Sequence, residues 1–122
     1  MARQTLIPHN RPTLGGAEIE AAAAVIRSGW LVMHERVRQF EEAICERLGL
    51  PEGHAAACSS GTAALFLALW ALDAAGKNVA IPVYSCSALR HAVHMVGAHE
   101  VLIDTVGGRP HIDVRAASAA DL

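Results

Sequence analysis

The sequence predicts an α/β fold, part of a three-layer α/β/α sandwich that follows an extended N-terminal arm. Two continuous apolar runs, 79–83 and 101–103, have the composition of strands buried on both faces of a parallel sheet. Segments with a helical spacing of apolar residues lie before and between these runs, and this order implies right-handed crossovers. We expect residues 1–13 to form the arm and residues 14–122 to form a single, incomplete domain.

The composition is unusually apolar for a chain of 122 residues, since 52% of the residues are hydrophobic and 18% are charged. A small domain has much surface per residue, so we expect part of the apolar area to face a partner. A net charge of −2 without a basic run gives no support for binding to nucleic acid or to an anionic membrane. The most apolar stretch, 63–75, is too short to span a bilayer.

Cysteine and histidine patterns indicate neither a disulfide framework nor a metal site. The sequence has three cysteines, Cys45, Cys58 and Cys86. Their odd number and the absence of a CxxC pair fit a reducing compartment, so we expect a cytoplasmic protein. His91 and His94 are three residues apart on a predicted helix and His99 is nearby, but no second ligand pair has a recognisable spacing. We therefore predict no metal site.

The N-terminal arm is predicted to be extended because Pro8 and Pro12 keep the residues before them out of helical geometry. A helix follows over residues 16–28, with acidic residues near its start and Gly29 at the position of a C-terminal cap. Its apolar positions recur at helical spacing: Ile19, Ala22, Ala23 and Ile26.

A second helix is predicted after a connector that contains the apolar run 30–33. Gly49 and Pro51 end this helix. Its predicted core stripe is Val37, Phe40, Ile44 and Leu48. Trp30 in the connector is either a platform for a ligand or a packing residue, and packing is the commoner role of a lone tryptophan after a helix.

The segment around which the chain is organised runs from 55 to 72, where a predicted buried strand passes through the turn 59–62 into an apolar helix. Gly61 lets the backbone approach a ligand closely or adopt a positive φ. The free N–H groups at the start of a helix attract an anion, phosphate above all. Serine and threonine are also common helix caps, so a purely structural cap is an equal alternative. The helix is apolar nearly all round, which predicts burial on several sides.

A second polar loop, 84–87, falls at the same edge of the predicted sheet as the turn 59–62. Both follow predicted strands, and ligands of parallel sheets bind at the carboxyl ends of the strands. A helix is predicted over 87–96, ended by Gly97. After the last strand, another helix is predicted to start at 112–113 and to continue through 114–122, which leaves the sheet incomplete.

Four stretches in this order carry a resemblance to a known family: RPTLGGAEIEAAAAVIRSGW, VRQFEEAI, SSGTAAL and IPVYSCSALRHAVHMVGAHEVLID. From Pro8 to Asp113 the chain resembles the N-terminal third of the DegT-type aminotransferases. These are pyridoxal-phosphate (PLP) enzymes of fold type I that aminate keto-sugars and related cyclitols. The resemblance implies that residues 14–122 are an incomplete large domain of such an enzyme.

The resemblance also implies a cofactor-binding set of Ser60, Gly61, Thr62 and Cys86. Gly61 and Thr62 match the family's Gly-Thr pair, which binds the cofactor phosphate through backbone and hydroxyl groups. Cys86 matches the position where many members place an aromatic residue on the pyridine ring, so its sulfur would cover the ring, and a buried structural cysteine is the alternative. In the family a glycine-containing link follows the SGW element, whereas this chain has residues 32–35 there. The family's substrate contacts from this link are therefore not carried over to this chain.

A lysine suited to the cofactor is missing. PLP transamination needs a lysine that forms a Schiff base and an acid that keeps the pyridine nitrogen protonated, and the resemblance places both beyond Leu122. Lys77, the single lysine, falls in a predicted turn at the opposite end of the sheet from the phosphate loop. We therefore predict no catalytic residue in this chain.

Three functional hypotheses follow. In the first, the chain is the N-terminal subunit or fragment of a PLP-dependent aminotransferase that acts on a keto-sugar or related small molecule. It would share PLP with a separately encoded C-terminal chain that brings the lysine. In the second, it is a non-catalytic accessory subunit that braces a full-length homologue in a hetero-oligomer. In the third, it is an inactive truncated product. Retention of the turn and of the Tyr84 loop favours the first.

Overall fold

The structure is a computed structural model that describes residues 10–107, 109, 111–113, 115 and 117. The chain divides into two compact units, Met1–Ala55 and Ala56–Leu122. Residues 1–9 of the predicted arm lie outside the described residues, and residues 10–13 form neither helix nor strand. None of the helices described here is long and apolar enough to cross a membrane.

The first unit contains the two predicted helices, α1 over Gly16–Ser28 and α2 over Glu35–Leu48. Each ends at a glycine in the left-handed conformation, with φ of 72° at Gly29 and 66° at Gly49. At the start of α1 the Gly15 N–H donates to Glu18 Oε2 at 2.7 Å, and this hydrogen bond lowers the pKa of the Glu18 carboxyl. Both helix predictions are confirmed.

The predicted core stripe of α2 is only half correct. Val37 and Ile44 are half-buried, but Phe40 is 58% exposed and Leu48 is also exposed. The buried residue of this helix is Cys45, at 3% exposure, which the apolar pattern did not single out. An apolar stripe is buried only where another surface covers it, and two helices of 13 and 14 residues supply little such surface.

The second unit contains α3 (Gly61–Ala71), β1 (Asn78–Pro82), α4 (Ser87–Met95) and β2 (His99–Ile103). The strands β1 and β2 are parallel, in a register that runs from Asn78 opposite His99 to Pro82 opposite Ile103. The helix α4 connects them, as the sequence predicts for a parallel α/β unit.

The core of the second unit lies between these elements. Its buried members are Ala74, Ile81, Val93 and Ala98, and Leu69 of α3 and Leu89 of α4 pack against them. Val93 is almost fully enclosed. This core therefore holds α4 on the two strands and holds α3 beside α4.

The predicted strand over residues 55–58 is wrong. The described residues form a two-stranded sheet, β1–β2, and residues 55–58 are not part of it. A strand requires a hydrogen-bonded neighbour, and an apolar run does not itself supply one. Within this segment, the Cys58 thiol donates to the carbonyl oxygen of Ala56 at 3.8 Å.

The prediction that α3 is buried on several sides is also wrong for the described part of the chain. No residue of α3 is buried, and on its outer face Trp70 is 67% exposed. The helix contacts α4 and the core along one stripe, because a sheet of two strands offers too little surface to cover a helix that is apolar all round.

After β2 the chain forms an isolated antiparallel bridge between Thr105 and Ile112, which the sequence did not predict. Asp113 Oδ1 accepts a hydrogen bond from the Arg115 N–H at 2.9 Å, and the Ala117 N–H donates to the Asp113 carbonyl oxygen at 3.0 Å. These are the bonds of a capped first helical turn, at the predicted place. Most of the predicted continuation over 114–122 lies outside the described residues.

Candidate cofactor-phosphate site

Ser60 is the N-cap of α3. Its backbone is extended, with φ −163° and ψ 162°, and its Oγ accepts a hydrogen bond from the Ala63 N–H at 3.1 Å. Its carbonyl oxygen accepts the first helical bond, from the Ala64 N–H at 3.0 Å. The structural role that the sequence allowed for this turn is thus present. This cap pairs the Ala63 N–H and does not pair the N–H groups of the two preceding residues.

Those two groups belong to Gly61 and Thr62. Within the described residues neither N–H has an acceptor, and the Thr62 hydroxyl makes no hydrogen bond. Gly61 is exposed and Thr62 is half-buried. Two unpaired N–H groups at the positive end of a helix dipole, beside a free hydroxyl, form a donor set that suits a phosphate.

Gly61 is not required by the fold of this chain. Its φ is outside the positive region, so of the two roles considered for this glycine the positive φ does not apply, and close approach of a ligand is the one left. Apart from its chain neighbours and the backbone of its own helix, no atom of the described residues lies within 4 Å of a Cβ atom built on Gly61. A side chain at this position would instead occupy open space directly beside the free N–H groups. The glycine therefore keeps clear a space that a ligand can fill.

The second predicted loop lies at the start of α4. Cys86 is the N-cap, with φ −73° and ψ 156°, and its thiol makes no capping hydrogen bond. The loop is held to the end of β1 by Ser85, whose Oγ donates to the Pro82 carbonyl oxygen at 2.9 Å. Cys86 and Tyr84 are exposed, so the alternative of a buried structural cysteine at 86 does not describe this unit.

Both loops lie on the same side of the second unit. At the opposite side, the Gly76 N–H donates to the Gly97 carbonyl oxygen at 2.8 Å and joins the segments that follow α3 and α4. Both helices run away from their polar loops toward this junction, which immediately precedes β1 and β2. The helix N-termini therefore lie near the carboxyl ends of the strands, the edge where parallel sheets bind ligands.

Lys77 lies on the far side, as predicted. It immediately precedes β1, its N–H donates to the Ala74 carbonyl oxygen, and its Nζ is 3.5 Å from Asp73 Oδ2. This ion pair is exposed to solvent. The only lysine of the chain is thus separated from the turn 60–62 by the length of the strand.

In the first unit, Trp30 stacks on His34 with ring centroids 4.3 Å apart and ring planes 16° apart. Trp30 is exposed, so it is not a core packing residue. Both rings line a groove of about 520 Å³ between the end of α1 and the start of α2. The spacing of four residues between two rings in the connector was the available sequence signal, and it was missed.

The histidines of α4 do not form a metal site in the described part of the chain, where no group of three metal-binding side chains lies together. His94 Nε2 is 3.7 Å from Glu100 Oε2. Glu100 is also bound by Arg90, whose hydrogen bonds lower the pKa of this carboxyl. The histidine therefore lies beside an ion pair of α4 and β2.

The sequence pattern of the DegT/DnrJ/EryC1/StrS aminotransferase family matches residues 12–120. The chain belongs to this family. Its turn 59–62 and its loop 84–87 are therefore the counterparts of segments in sugar aminotransferases.

Relatives of known sequence and structure agree with this membership. The dTDP-4-dehydro-2,3,6-trideoxy-D-glucose 4-aminotransferase of Saccharopolyspora spinosa is 36% identical over 100 residues, which are 81% of this chain and 26% of the relative. The aminotransferase TlmJ from Streptoalloteichus hindustanus superimposes with a TM-score of 0.86 at 29% identity, over 94% of this chain and 32% of TlmJ. This chain thus spans roughly a quarter to a third of the length of these relatives.

A third relative is the putative sugar aminotransferase Spr1654 from Streptococcus pneumoniae, which has been solved in PLP, apo and PMP forms. Its PLP form superimposes with a TM-score of 0.82 at 28% identity and covers 93% of this chain and 29% of Spr1654. These neighbours are fold type I aminotransferases, which confirms the predicted α/β class. They also indicate pyridoxal phosphate as the cofactor.

Proposed function

We propose that this chain is the N-terminal part of a PLP-dependent aminotransferase that acts on a keto-sugar or related small molecule. It supplies the turn that binds the cofactor phosphate, and a separate chain supplies the lysine to which the cofactor is linked. The observation that carries this proposal concerns Gly61. Within the described residues, neither the backbone conformation nor a neighbouring atom requires a glycine at this position. A phosphate bound at the Gly61 N–H would need the space that a side chain would fill.

The residues of the site have different roles in binding the cofactor. Ser60 caps α3 and so stabilises its first turn, from which the N–H groups of Gly61 and Thr62 point out of the helix end. Those two N–H groups and the Thr62 hydroxyl donate to phosphate oxygens. Cys86 starts the neighbouring helix and presents its sulfur to the cofactor ring.

When bound, pyridoxal phosphate supplies an electron sink for amino-group transfer. This chain anchors and orients that group but holds no lysine near it, because Lys77 lies at the other end of the strands in an ion pair with Asp73. The match to about a quarter of the S. spinosa relative fits this division of labour. That relative is a dTDP-4-dehydro-2,3,6-trideoxy-D-glucose 4-aminotransferase, which supports a sugar as the substrate class.

The proposal is tested with a defined second polypeptide. The part of the S. spinosa aminotransferase that the match leaves out, here called the complementing fragment, is co-expressed with this chain, and PLP affinity of the complex is measured by titration. Thr62→Val removes the hydroxyl and keeps the shape. It should weaken PLP binding by about ten- to a hundredfold, because a hydrogen bond to a charged group contributes about 1.5–3 kcal/mol.

Two further variants sharpen the result. Gly61→Val should weaken PLP binding more than Thr62→Val does, while leaving the thermal stability of the complex unchanged, because none of the described residues occupies the space beside Gly61. Thr13→Val is the matched control on an exposed residue outside the turn and should bind PLP like the parent. Equal PLP affinity in all three variants would refute the assignment of the turn.

The location of the lysine is tested separately. Borohydride reduction of the PLP-loaded complex, followed by mass spectrometry, should place the phosphopyridoxyl group on the complementing fragment. A label on Lys77 would contradict the proposed division. An accessory role would show itself differently: the chain would bind an intact homologue, and Gly61→Val would leave that homologue's PLP affinity unchanged.

A further inference from the structure

One row of side chains on α4 runs from the candidate site to an ion pair. Cys86, Arg90 and His94 follow one another at intervals of four residues, so they lie along the same face of the helix. At a rise of about 1.5 Å per residue, Arg90 lies about 6 Å along the helix axis from Cys86. A contact that fixes Arg90 therefore also limits the movement of the first turn of α4, where the Cys86 thiol lies.

The Arg90 guanidinium is held by Glu100 of β2. Its Nε donates to Glu100 Oε2 at 2.6 Å, and its Nη2 donates to Glu100 Oε1. His94 Nε2 lies 3.7 Å from the same carboxylate, and the Glu100 side chain is 18% exposed. Two parallel hydrogen bonds fix the orientation of a guanidinium as well as its distance, so this pair restrains the rotation of α4 relative to β2.

The apolar contacts of α4 restrain this rotation less. The residues that the helix buries are Ala92 and Val93, whose side chains are small. Attraction between apolar surfaces has no preferred direction, so a small apolar contact holds a helix in place without fixing its rotation. Cys86 makes no capping hydrogen bond, and its carbonyl oxygen accepts from the Leu89 N–H at a long 3.4 Å. The first turn of α4 therefore depends on the restraint at Arg90.

We propose that Arg90 is a positioning residue of the cofactor site, which acts through Glu100 to keep the Cys86 thiol at the face of the cofactor ring. This inference rests on the proposed function, in which Cys86 covers that ring. Side chains of a binding site must keep their places within about 0.5 Å, and hydrogen bonds from residues behind them supply this restraint. Loss of the pair should leave the phosphate turn on α3 intact and should loosen the contact between Cys86 and the ring.

Two single variants and one double variant test the pair in the complex with the complementing fragment. Arg90→Gln removes the positive charge, and Glu100→Gln removes the negative charge. A direct effect of these charges on the thiol would have opposite signs in the two variants, whereas loss of positioning has the same sign in both. Arg90→Glu combined with Glu100→Arg restores an ion pair and should restore the behaviour of the parent. Arg38→Gln is the matched control, because it removes an arginine that pairs with Glu35 and Glu42 within α2.

The first measurement uses the complex without PLP. A thiol reagent is added, and mass spectrometry follows the modification of Cys86 with time. Both single variants should be modified faster than the parent, because the first turn of α4 is less restrained. Cys58 is an exposed thiol that precedes α3, so it is the internal reference and its rate should not change.

The second measurement uses the complex loaded with PLP. In both single variants, bound PLP should lose most of its protection of Cys86 against the reagent, and the absorption band of the bound cofactor should shift. PLP affinity should fall less than it does in Thr62→Val, because the phosphate turn lies on a different helix. The double variant and Arg38→Gln should behave like the parent in every measurement.

These outcomes separate the inference from the proposed function. If the parent complex binds PLP, the inference about Arg90 is wrong in any of three cases: PLP leaves Cys86 unprotected, a single variant behaves like the parent, or the double variant behaves like the single ones. Opposite changes in the two single variants would show a direct charge effect and would also contradict it. If both single variants speed the modification of Cys86 but the parent complex binds no PLP, Arg90 positions the thiol and the proposed function is wrong. A parent chain that forms no complex contradicts both proposals.

Discussion

The guanidinium of Arg90 on α4 binds both carboxylate oxygens of Glu100 on β2, with Nε donating to Oε2 at 2.6 Å. The Glu100 side chain is 18% exposed, and His94 lies on its other side. The hydrogen bonds from Arg90 lower the pKa of Glu100 and raise the pKa of Arg90. This pair connects a helix to the sheet at positions ten residues apart in the chain.

The first prediction concerns the pH dependence of this pair. A carboxyl whose pKa is lowered on folding adds stability above its unfolded pKa and loses it as the pH falls through the folded value. Glu100→Gln should therefore lower the melting temperature of the complex at pH 7, and the difference from the parent should shrink as the pH falls below about 4. Glu20→Gln removes a largely exposed pair with Arg27 and should change little. A pH-independent difference would contradict this prediction.

The second prediction separates the two roles of Ser60. Ser60→Asp keeps an oxygen that accepts from the Ala63 N–H, so α3 should remain stable, but its negative charge repels the phosphate and PLP binding should fall at least tenfold. Ser60→Ala removes the cap and should destabilise the complex by about 0.5–2 kcal/mol. Urea unfolding and PLP titration measure the two effects. Intact PLP affinity in Ser60→Asp would place the phosphate elsewhere.

The third prediction concerns the thiols. Cys86 is exposed at the start of α4, whereas Cys45 is buried. Bound PLP should protect Cys86 from a thiol reagent, and Cys86→Ala should shift the absorption band of the bound cofactor. Cys45→Ala should leave the band unchanged, although loss of a buried side chain lowers stability. Identical spectra for the two variants would remove Cys86 from the cofactor site.

The fourth prediction concerns self-association. The outer face of α3 exposes Leu67 and Trp70, and one edge of β1 has no strand neighbour among the described residues. Expressed alone, the chain should form oligomers or aggregates, and co-expression with the complementing fragment should bring it into solution. Sedimentation velocity distinguishes the states. A monodisperse monomer that unfolds cooperatively would show that these surfaces need no cover.

Local signals in the sequence predicted most of the secondary structure. The bounds of α1 agree with the predicted 16–28, and α2 ends at the predicted glycine, because the apolar spacing and a left-handed cap act within a few residues. Both observed strands were predicted from apolar runs, with ends shifted by one or two residues. For the candidate site, the sequence indicates Ser60, Gly61, Thr62 and Cys86, and their cofactor roles remain predictions.

The helices, their caps, the parallel α/β order and the polar turn at the start of α3 follow from the sequence, since each depends on neighbours along the chain. Three features of the described residues became clear from their packing. Residues 55–58 form no strand, α3 stays uncovered, and Gly61 has no positive φ and an open space beside it. Strand pairing and burial depend on which surfaces meet, and those surfaces come from distant segments or from another polypeptide. An apolar pattern indicates that a surface is buried, and the packing shows which segment covers it.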